Sequence, residues 1–238
     1  MNVSQGTTPR SRRERPAKAP LTREGIIDVA LGILRSEGLR KVTLRRIAAE
    51  LDTGPASLYV YIRNAEDLHG QLIDAFLEPV VASAEASVDR PSVDWRSRIK
   101  ALLDEYRRAL YRQPELARIA LTTQLSGPNY LMVVDAVLGA LAAGGVPDRE
   151  SAWAVDMLLL HATAEVVEHA EHQDDEGVGG GAAQSLSVLT SQIEAVDGAK
   201  YPHIARLGPD LLSGNGTQRN HWAVEALLNG VLATPRPE

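Results

Sequence analysis

The sequence of 238 residues contains no cysteine, and aromatic side chains make up only 4% of it. The lack of cysteine excludes disulfide bonds and thiolate chemistry. No apolar run reaches the roughly 20 residues of a membrane-spanning helix, and the N-terminus does not have the pattern of a secretion signal. Because aromatic residues are few while alanine and leucine abound, we expect an all-α protein of the cytoplasm.

Signatures of enzyme active sites are also missing from the sequence. It has no glycine-rich phosphate loop, no HExxH pair and no nucleophile elbow. We therefore expect a protein that is not an enzyme and that has no cofactor.

Charge is distributed unevenly along the chain. The net charge of −6 would by itself argue against a polyanionic partner. Residues 1–63, however, hold 12 Lys and Arg against 6 Asp and Glu, a net charge of +6, whereas the remainder holds 13 against 25, a net charge of −12. A basic N-terminal part on an acidic chain predicts that this part binds nucleic acid.

Residues 42–68 predict two short helices joined by a tight turn. Thr43 is placed to cap the first helix. Pro55 suits the first position of the second helix, where its missing N–H would be unpaired in any case. Leu58 and Ile62 are expected to face the core, which leaves as outward-facing residues Ala56, Ser57, Val60 and Tyr61. A short helix with such a surface fits the major groove of DNA.

A further helix is predicted before this pair, with Leu21 as a hydrophobic staple, Thr22 as the N-cap and Gly38 as the end. The three helices would form one N-terminal unit. Any two short helices joined by a glycine turn share this pattern, so the helix-turn-helix signal alone does not decide the function. The preceding segment, residues 1–20, is basic and expected to be disordered. It could lie along phosphates or serve only to keep the protein soluble.

Residues 21–76 resemble the DNA-binding domain of TetR-type transcriptional repressors. The matching stretches are LTREGIIDVALGILRSEG, VTLRRIA and SLYVYIRN. The resemblance implies that operator DNA is contacted by Thr43, Arg45, Ala56, Ser57, Tyr59 and Tyr61. For Tyr59, packing against the first helix is the alternative. The family usually has a lysine at the position of Ala65 that touches a phosphate, so one contact with DNA of any sequence is expected to be missing.

The remainder resembles the tetracycline-repressor branch of this family in DWRSRIKALLDEYRRAL, in VVEHAEHQ before an acidic, glycine-rich segment, and in LLNGVL near the end. The resemblance implies a homodimer held through the helices 149–173 and 218–232. The expected domains are a disordered basic tail at 1–20, a helix-turn-helix domain at 21–67 and a helical effector-binding and dimerisation domain at 68–238. The sequence also predicts one connecting helix at 64–82 and loops at 87–94, 174–185 and 208–216.

One face of the predicted long helix gathers polar side chains, namely His161, Glu165, Glu168, His169 and His172, while the opposite side holds Val155, Leu159, Ala162, Val166 and Ala170. The polar face could line an effector cavity or hold a metal ion, because an imidazole and a carboxylate four residues apart can share one ligand. It could equally be a solvated surface. We favour the cavity for His161 and Glu165 and the solvated surface for His169 and His172.

The resemblance also implies where an effector would bind. The drug-contacting asparagine and the metal-binding histidine of tetracycline repressors fall at Leu102 and Ala120, and another histidine of that site falls near Val81, so the chelating set is absent. Tyr106 stands where the family has a phenylalanine, and Glu168 matches a glutamate of that site. We expect an apolar cavity, no bound metal, and an effector other than tetracycline. Its expected effector-binding residues are Leu102, Tyr106, His161, Glu165 and Glu168.

The predicted function is that of a ligand-responsive transcriptional repressor. It would bind a palindromic, double-stranded operator as a homodimer and would be released by a small hydrophobic effector. One alternative is a helical metal-dependent enzyme that uses the face of His161, Glu165 and His169, and another is a helical adaptor that only dimerises. No contact with a membrane is expected.

Overall fold

The computed structural model describes residues 20–88, 93–174 and 181–237, without the side chains of residues 87–88, 170–174 and 181–186. Every helix or strand assigned in these ranges is a helix, so the protein is all-α, as the sequence predicts. The predicted tail apart from Pro20, and the middle parts of the predicted loops at 87–94 and 174–185, lie outside the described residues. The chain divides into two compact units, Met1–Ile62 and Arg63–Glu238. This division precedes by a few residues the boundary expected after residue 67.

The N-terminal unit consists of three helices, α1 (Arg23–Glu37), α2 (Leu44–Glu50) and α3 (Pro55–Leu58), with a 3-10 turn at Leu39–Lys41 between the first two. The side-chain oxygens of Thr22 and Thr43 accept backbone N–H groups three residues further on, at 3.0 and 3.1 Å. These two threonines therefore start α1 and α2 as N-caps. Pro55 opens α3, and α1 ends at Gly38, whose φ of 81° favours glycine.

The core of this unit is built from buried apolar side chains of all three helices, five of them from α1. Ile26, Ala30, Ile47, Leu58 and Ile62 are completely inaccessible to solvent. Because Leu58 and Ile62 flank the end of α3, they fix how this short helix is presented.

The C-terminal unit contains nine helices within the described residues: α4 (Ala65–Phe76), α5 (Glu78–Val88), α6 (Trp95–Tyr111), α7 (Pro114–Ala120), α8 (Pro128–Ala143), α9 (Asp148–Asp174), α10 (Gly181–Glu194), α11 (Pro202–Leu211) and α12 (Gly216–Ala233). The long helix α9 packs against α6, α7, α8 and α12. None of the described helices is both long and apolar enough to cross a bilayer.

Several elements differ from those predicted. Parts of the loops predicted at 87–94 and 174–185 are helical, since α5 extends to Val88 and α10 begins at Gly181. The connecting helix is broken at Leu77 into α4 and α5, because Pro79 lacks an N–H and its ring would crowd the carbonyl four residues earlier. The predicted loop at 208–216 begins only after α11. Gly208 is buried inside that helix, where an added Cβ would lie 2.9 Å from Ile193. Here glycine allows two helices to approach closely and does not mark a loop.

Candidate nucleic-acid interface and ligand site

The surface of α3 and the turn after it is open to solvent although part of it is apolar. Ala56 and Ser57 are exposed, and Tyr59 and Val60 expose 57% and 80% of their surface. Tyr59 and Val60 are exposed although their neighbour Leu58 is fully buried, so they do not contribute to the core of the unit. The arrangement fits contact with another molecule, and the thymine methyl group is one apolar partner in a major groove.

The structure corrects the expected outward direction of Tyr61. This residue is half-buried, and its hydroxyl donates a hydrogen bond of 2.7 Å to the carbonyl of Leu21. Tyr61 thus ties the end of the α3 region to the residue that precedes α1. Tyr59, for which packing on the first helix was the alternative, is the more exposed of the two tyrosines.

The two arginines near the start of α2 differ in their partners. Arg46 forms ion pairs of 2.7 Å with both Glu37 and Glu50. Arg45 is exposed, and its guanidinium pairs with no carboxylate among the residues described. Its donors are therefore available for a base edge or a phosphate. The hydroxyl of Thr43 already serves the N-cap, which limits what it can offer to DNA.

Two of the expected effector residues lie together on one side of α6. Leu102 and Tyr106 are buried there, and the hydroxyl of Tyr106 lies 3.0 Å from Oγ1 of Thr163 on α9. Since that threonine donates its own proton to the carbonyl of Leu159 at 2.8 Å, the tyrosine is the donor between the two. Burial raises the pKa of Tyr106 to about 12, so the hydroxyl stays protonated at neutral pH.

Glu165 faces the opposite side of the α6–α9 contact. It lies two residues after Thr163, which is about 200° around an α-helix. Its carboxylate is buried and accepts two hydrogen bonds from the guanidinium of Arg107 and one of 3.3 Å from the hydroxyl of Tyr111. Arg107 also lies 3.2 Å from Asp104. A carboxylate so fully paired has little capacity left for a ligand.

Helix geometry therefore argues against the expected grouping of His161 with Tyr106. His161 is also two residues from Thr163 and projects away from it, like Glu165. Its Nε2 is buried and forms no hydrogen bond in the structure. Glu168 is exposed. The predicted effector set thus does not surround one cavity, because the contact between α6 and α9 separates Leu102 and Tyr106 from the other members.

The remaining residues of the polar face fall into different surroundings. His169 is half-buried, with Nδ1 2.9 Å from the carbonyl of Glu165, so it is less solvated than expected. The side chain of His172 lies outside the described residues. No group of three or more His, Asp and Glu side chains that could hold a metal ion occurs in the described ranges.

A polar cleft of about 630 Å³ opens where α6, α9 and the start of α12 meet. Among the groups that line it are Arg107, Glu165, His169 and Gly216. A hydrogen bond of 2.9 Å between Asp104 and His221 joins α6 to α12 at its edge. The cleft is lined by charged groups that already pair with one another, so it does not have the apolar lining that the sequence predicts for the effector.

Sequence reasoning missed Arg107 and Thr163, which are the hydrogen-bond partners of Glu165 and Tyr106 on the two sides of the α6–α9 contact. A signal for the first was present. Glu165 lies near the middle of a long helix, and a glutamate that is buried there requires a cationic partner. The amphipathic helix α6 carries such a cation. For Thr163 the helical pattern gives no comparable signal.

An apolar surface lies outside this core on α9 and α12. Trp153, Met157 and Leu160 share one face of α9 and expose 55%, 37% and 54% of their surface, and Trp222 on α12 exposes 74%. Arg236, from the segment after α12, stacks over Trp153 at 4.2 Å. Exposed apolar residues grouped in this way are typical of protein–protein interfaces.

Comparison with known proteins covers nearly the whole chain. Residues 26–71 match the sequence family of bacterial regulatory proteins of the tetR type, and residues 89–234 match the tetracyclin repressor-like C-terminal domain. The transcriptional repressor DrrR1 of Streptomyces coeruleorubidus is 28% identical over 225 residues, which are 90% of this chain and 82% of the relative.

Solved structures agree with this assignment. The SCO7704 protein of Streptomyces coelicolor is 39% identical with a TM-score of 0.70, over 94% of this chain and 99% of that one. ActR of Streptomyces coelicolor, solved in complex with actinorhodin, is 29% identical with a TM-score of 0.72, over 90% of this chain and 98% of that one.

We expect Glu165→Ala to lower the free energy of unfolding by about 3 to 5 kcal/mol, because it leaves the buried guanidinium of Arg107 without its main partner. Glu85→Ala, at an exposed glutamate of α5, should change it by less than about 0.5 kcal/mol. Urea denaturation followed by circular dichroism measures both. Equal effects of the two substitutions would show that the Arg107–Glu165 pair does not stabilise the fold.

Proposed function

Since this chain belongs to the TetR family of bacterial regulatory proteins, we propose that it represses transcription by binding a palindromic operator as a homodimer, and that a small hydrophobic effector releases it. Transcriptional regulation is the function of the family and of the relatives named above. The operator, the dimer and the effector of this chain are the parts that we propose.

The observation that carries the proposal is the surface of α3. Leu58 and Ile62 are buried completely, so they hold α3 against the core of the unit. The side chains that remain exposed are those of Ala56, Ser57, Tyr59 and Val60. A rigid short helix with small and apolar side chains can enter a major groove and contact base edges. The unpaired Arg45 nearby suits a guanine edge, for which arginine is the most frequent partner. Thr43 and Tyr61 are the weaker candidates, since an N-cap and a hydrogen bond to Leu21 already engage their hydroxyls.

Dimerisation through α9 and α12 is supported by the exposed residues Trp153, Met157, Leu160 and Trp222. A symmetric dimer would bury these side chains and would present two N-terminal units to two half-sites about one turn of DNA apart. The segments 149–173 and 218–232 remain the proposed interface.

For the effector we propose the side of α6 that carries Leu102 and Tyr106. The residues Leu102 and Tyr106 are buried there, and the hydroxyls of Tyr106 and Thr163 are polar groups that could orient a ligand. ActR, which is similar over most of the chain, has been solved with actinorhodin. An aromatic, hydrophobic effector therefore suits this chain better than a metal chelate. Its binding would shift α4, which follows directly on the N-terminal unit.

The chain is not an enzyme, because its family and relatives are transcriptional regulators. The alternative of a metal-dependent enzyme on the face of His161, Glu165 and His169 also lacks structural support. Glu165, which would have to bind the metal ion, is engaged by the guanidinium of Arg107.

We expect Arg45→Ala to reduce the discrimination between the operator and a scrambled duplex by about 1 to 3 kcal/mol, because one base-edge contact is lost. The operator is the duplex that the unaltered protein selects from a random pool, and fluorescence anisotropy at fixed salt gives the affinities. Arg206→Ala removes an exposed arginine of α11 and serves as the control. If Arg45→Ala weakens both duplexes equally, Arg45 contacts only phosphate.

Leu160→Glu is expected to convert the dimer into a folded monomer, because an exposed residue of the subunit becomes a buried charge at the proposed interface. Trp222→Glu should act in the same way. Leu211→Glu introduces the same charge at a leucine of α11 that is exposed to a similar degree, and should leave the dimer intact. Sedimentation velocity distinguishes the species. A dimer that persists in both Leu160→Glu and Trp222→Glu would place the interface elsewhere.

We expect actinorhodin-like aromatic compounds to release the selected duplex in a gel-shift assay and tetracycline to have no effect. Tyr106→Phe should weaken the release by removing the orienting hydroxyl, while the affinity for DNA without compound is unchanged. Tyr201→Phe, at an exposed tyrosine, is the control. If no compound of the panel alters the complex, the protein binds DNA constitutively and the effector part of the proposal fails.

A further inference from the structure

Asp74, near the end of α4, caps a helix other than its own. The residue is 92% buried, and its carboxylate accepts the backbone N–H of Tyr130 at 2.8 Å and that of Asn129 at 3.4 Å. These are the second and third residues of α8, whose N-cap is Gly127 and whose first residue is Pro128. Because glycine has no side chain, α8 cannot cap itself, and Asp74 takes over the N-cap bond from a distant part of the chain.

The same two helix ends are joined in the reverse direction. The side-chain amide of Asn129 donates a hydrogen bond of 3.0 Å to the backbone carbonyl of Asp74. That carbonyl, in the last turn of α4, also accepts the backbone N–H of Leu77 at 3.0 Å, so the amide of Asn129 is a second donor to the same oxygen. The two helix ends are thus joined by hydrogen bonds in both directions.

Gly127 shows how closely α4 approaches this turn. A Cβ added at Gly127 would lie 2.1 Å from Cγ of Asp74 and 2.7 Å from its Cβ, far inside van der Waals contact. Any other residue at this position would displace the carboxylate. α4 and α8 are therefore closely packed at this joint.

The position of this joint matters because of what lies on either side of it. α4 begins three residues after Ile62, the last residue of the N-terminal unit. On the other side, α8 packs against α6, which carries Leu102 and Tyr106. α8 thus contacts both α6, which carries the proposed effector side, and α4, the helix that follows the N-terminal unit.

We propose that Asp74 is a positioning residue that couples α4 to the first turn of α8, so that the two move as one piece. The proposal rests on the proposed function for its significance, since α4 would pass the state of the effector site to the DNA-binding unit. A carboxylate that only stabilised the fold would lower the melting temperature when removed but would leave the position of α4 unchanged in the folded protein.

The absence of cysteine allows a direct test on the full chain. Cysteines introduced at two exposed positions, Glu66 in α4 and Asp135 in α8, carry nitroxide labels. The labelled protein is mixed with an excess of unlabelled protein, and double electron–electron resonance then gives the α4–α8 distance within one chain. The variants are Asp74→Ala, Asp74→Asn, which keeps an acceptor oxygen, and Gly127→Ala. Glu78→Ala, an exposed carboxylate four residues after Asp74, is the charge-matched control.

We expect a narrow distance distribution in the parent, in Asp74→Asn and in Glu78→Ala, and a broadened or shifted one in Asp74→Ala and Gly127→Ala. Circular dichroism establishes that each variant is folded. If Asp74→Ala does not fold, Gly127→Ala reports on the same joint. A distribution in folded Asp74→Ala or Gly127→Ala that superimposes on the parent overturns the proposal, and so does an equal broadening in Glu78→Ala. The distance lies within one chain, so a failure of DNA binding or dimerisation would leave this result unaffected.

Discussion

The packing of α6 on α9 is the constraint on which the C-terminal unit depends. On one side of this contact, Tyr106 and Thr163 share a hydrogen bond among apolar side chains. On the other side, Arg107 and Glu165 form a buried ion pair. A charge buried without its partner would be strongly unfavourable, so the pair fixes the rotation of both helices about their axes. That rotation decides which residues can meet a ligand. It leaves Leu102 and Tyr106 on an apolar side and directs Glu165 and His169 toward a polar cleft whose charges already neutralise one another.

The N-terminal unit follows the same logic on a smaller scale. Complete burial of Leu58 and Ile62 leaves the small residues of α3, together with Tyr59 and Val60, without any role in the core. Tyr61 is a contact of the scaffold, since its hydroxyl bonds to Leu21. A helix of only four residues is not stable by itself. The direction of α3 therefore depends on the contacts of Leu58, Ile62 and Tyr61. The exposed surface of α3 is as rigid as these contacts are.

Sequence reasoning succeeds where a local rule is sufficient. The threonine caps of α1 and α2, the proline that opens α3 and the glycine that ends α1 each depend on a few neighbouring residues, and the structure has all of them. It fails for the polar face of α9, because helical periodicity shows which residues share a side but not what lies against that side. The side expected to face a ligand faces Arg107. Gly208 fails for the same reason, since its neighbour Ile193 is known only once the helices are packed.

A tight joint between α4 and α8 is consistent with the way a dimeric repressor gains affinity. When one N-terminal unit is bound to a half-site, the second binds with an effective concentration set by how narrowly its position is distributed. A loosely held α4 would spread the second unit over many positions, and an effector that shifted α4 would then change little. A firmly held α4 makes the bound and released arrangements distinct. Only when the two arrangements are distinct can an effector prefer one of them and so lower the affinity for DNA. Bound DNA must then lower the affinity for the effector by the same factor.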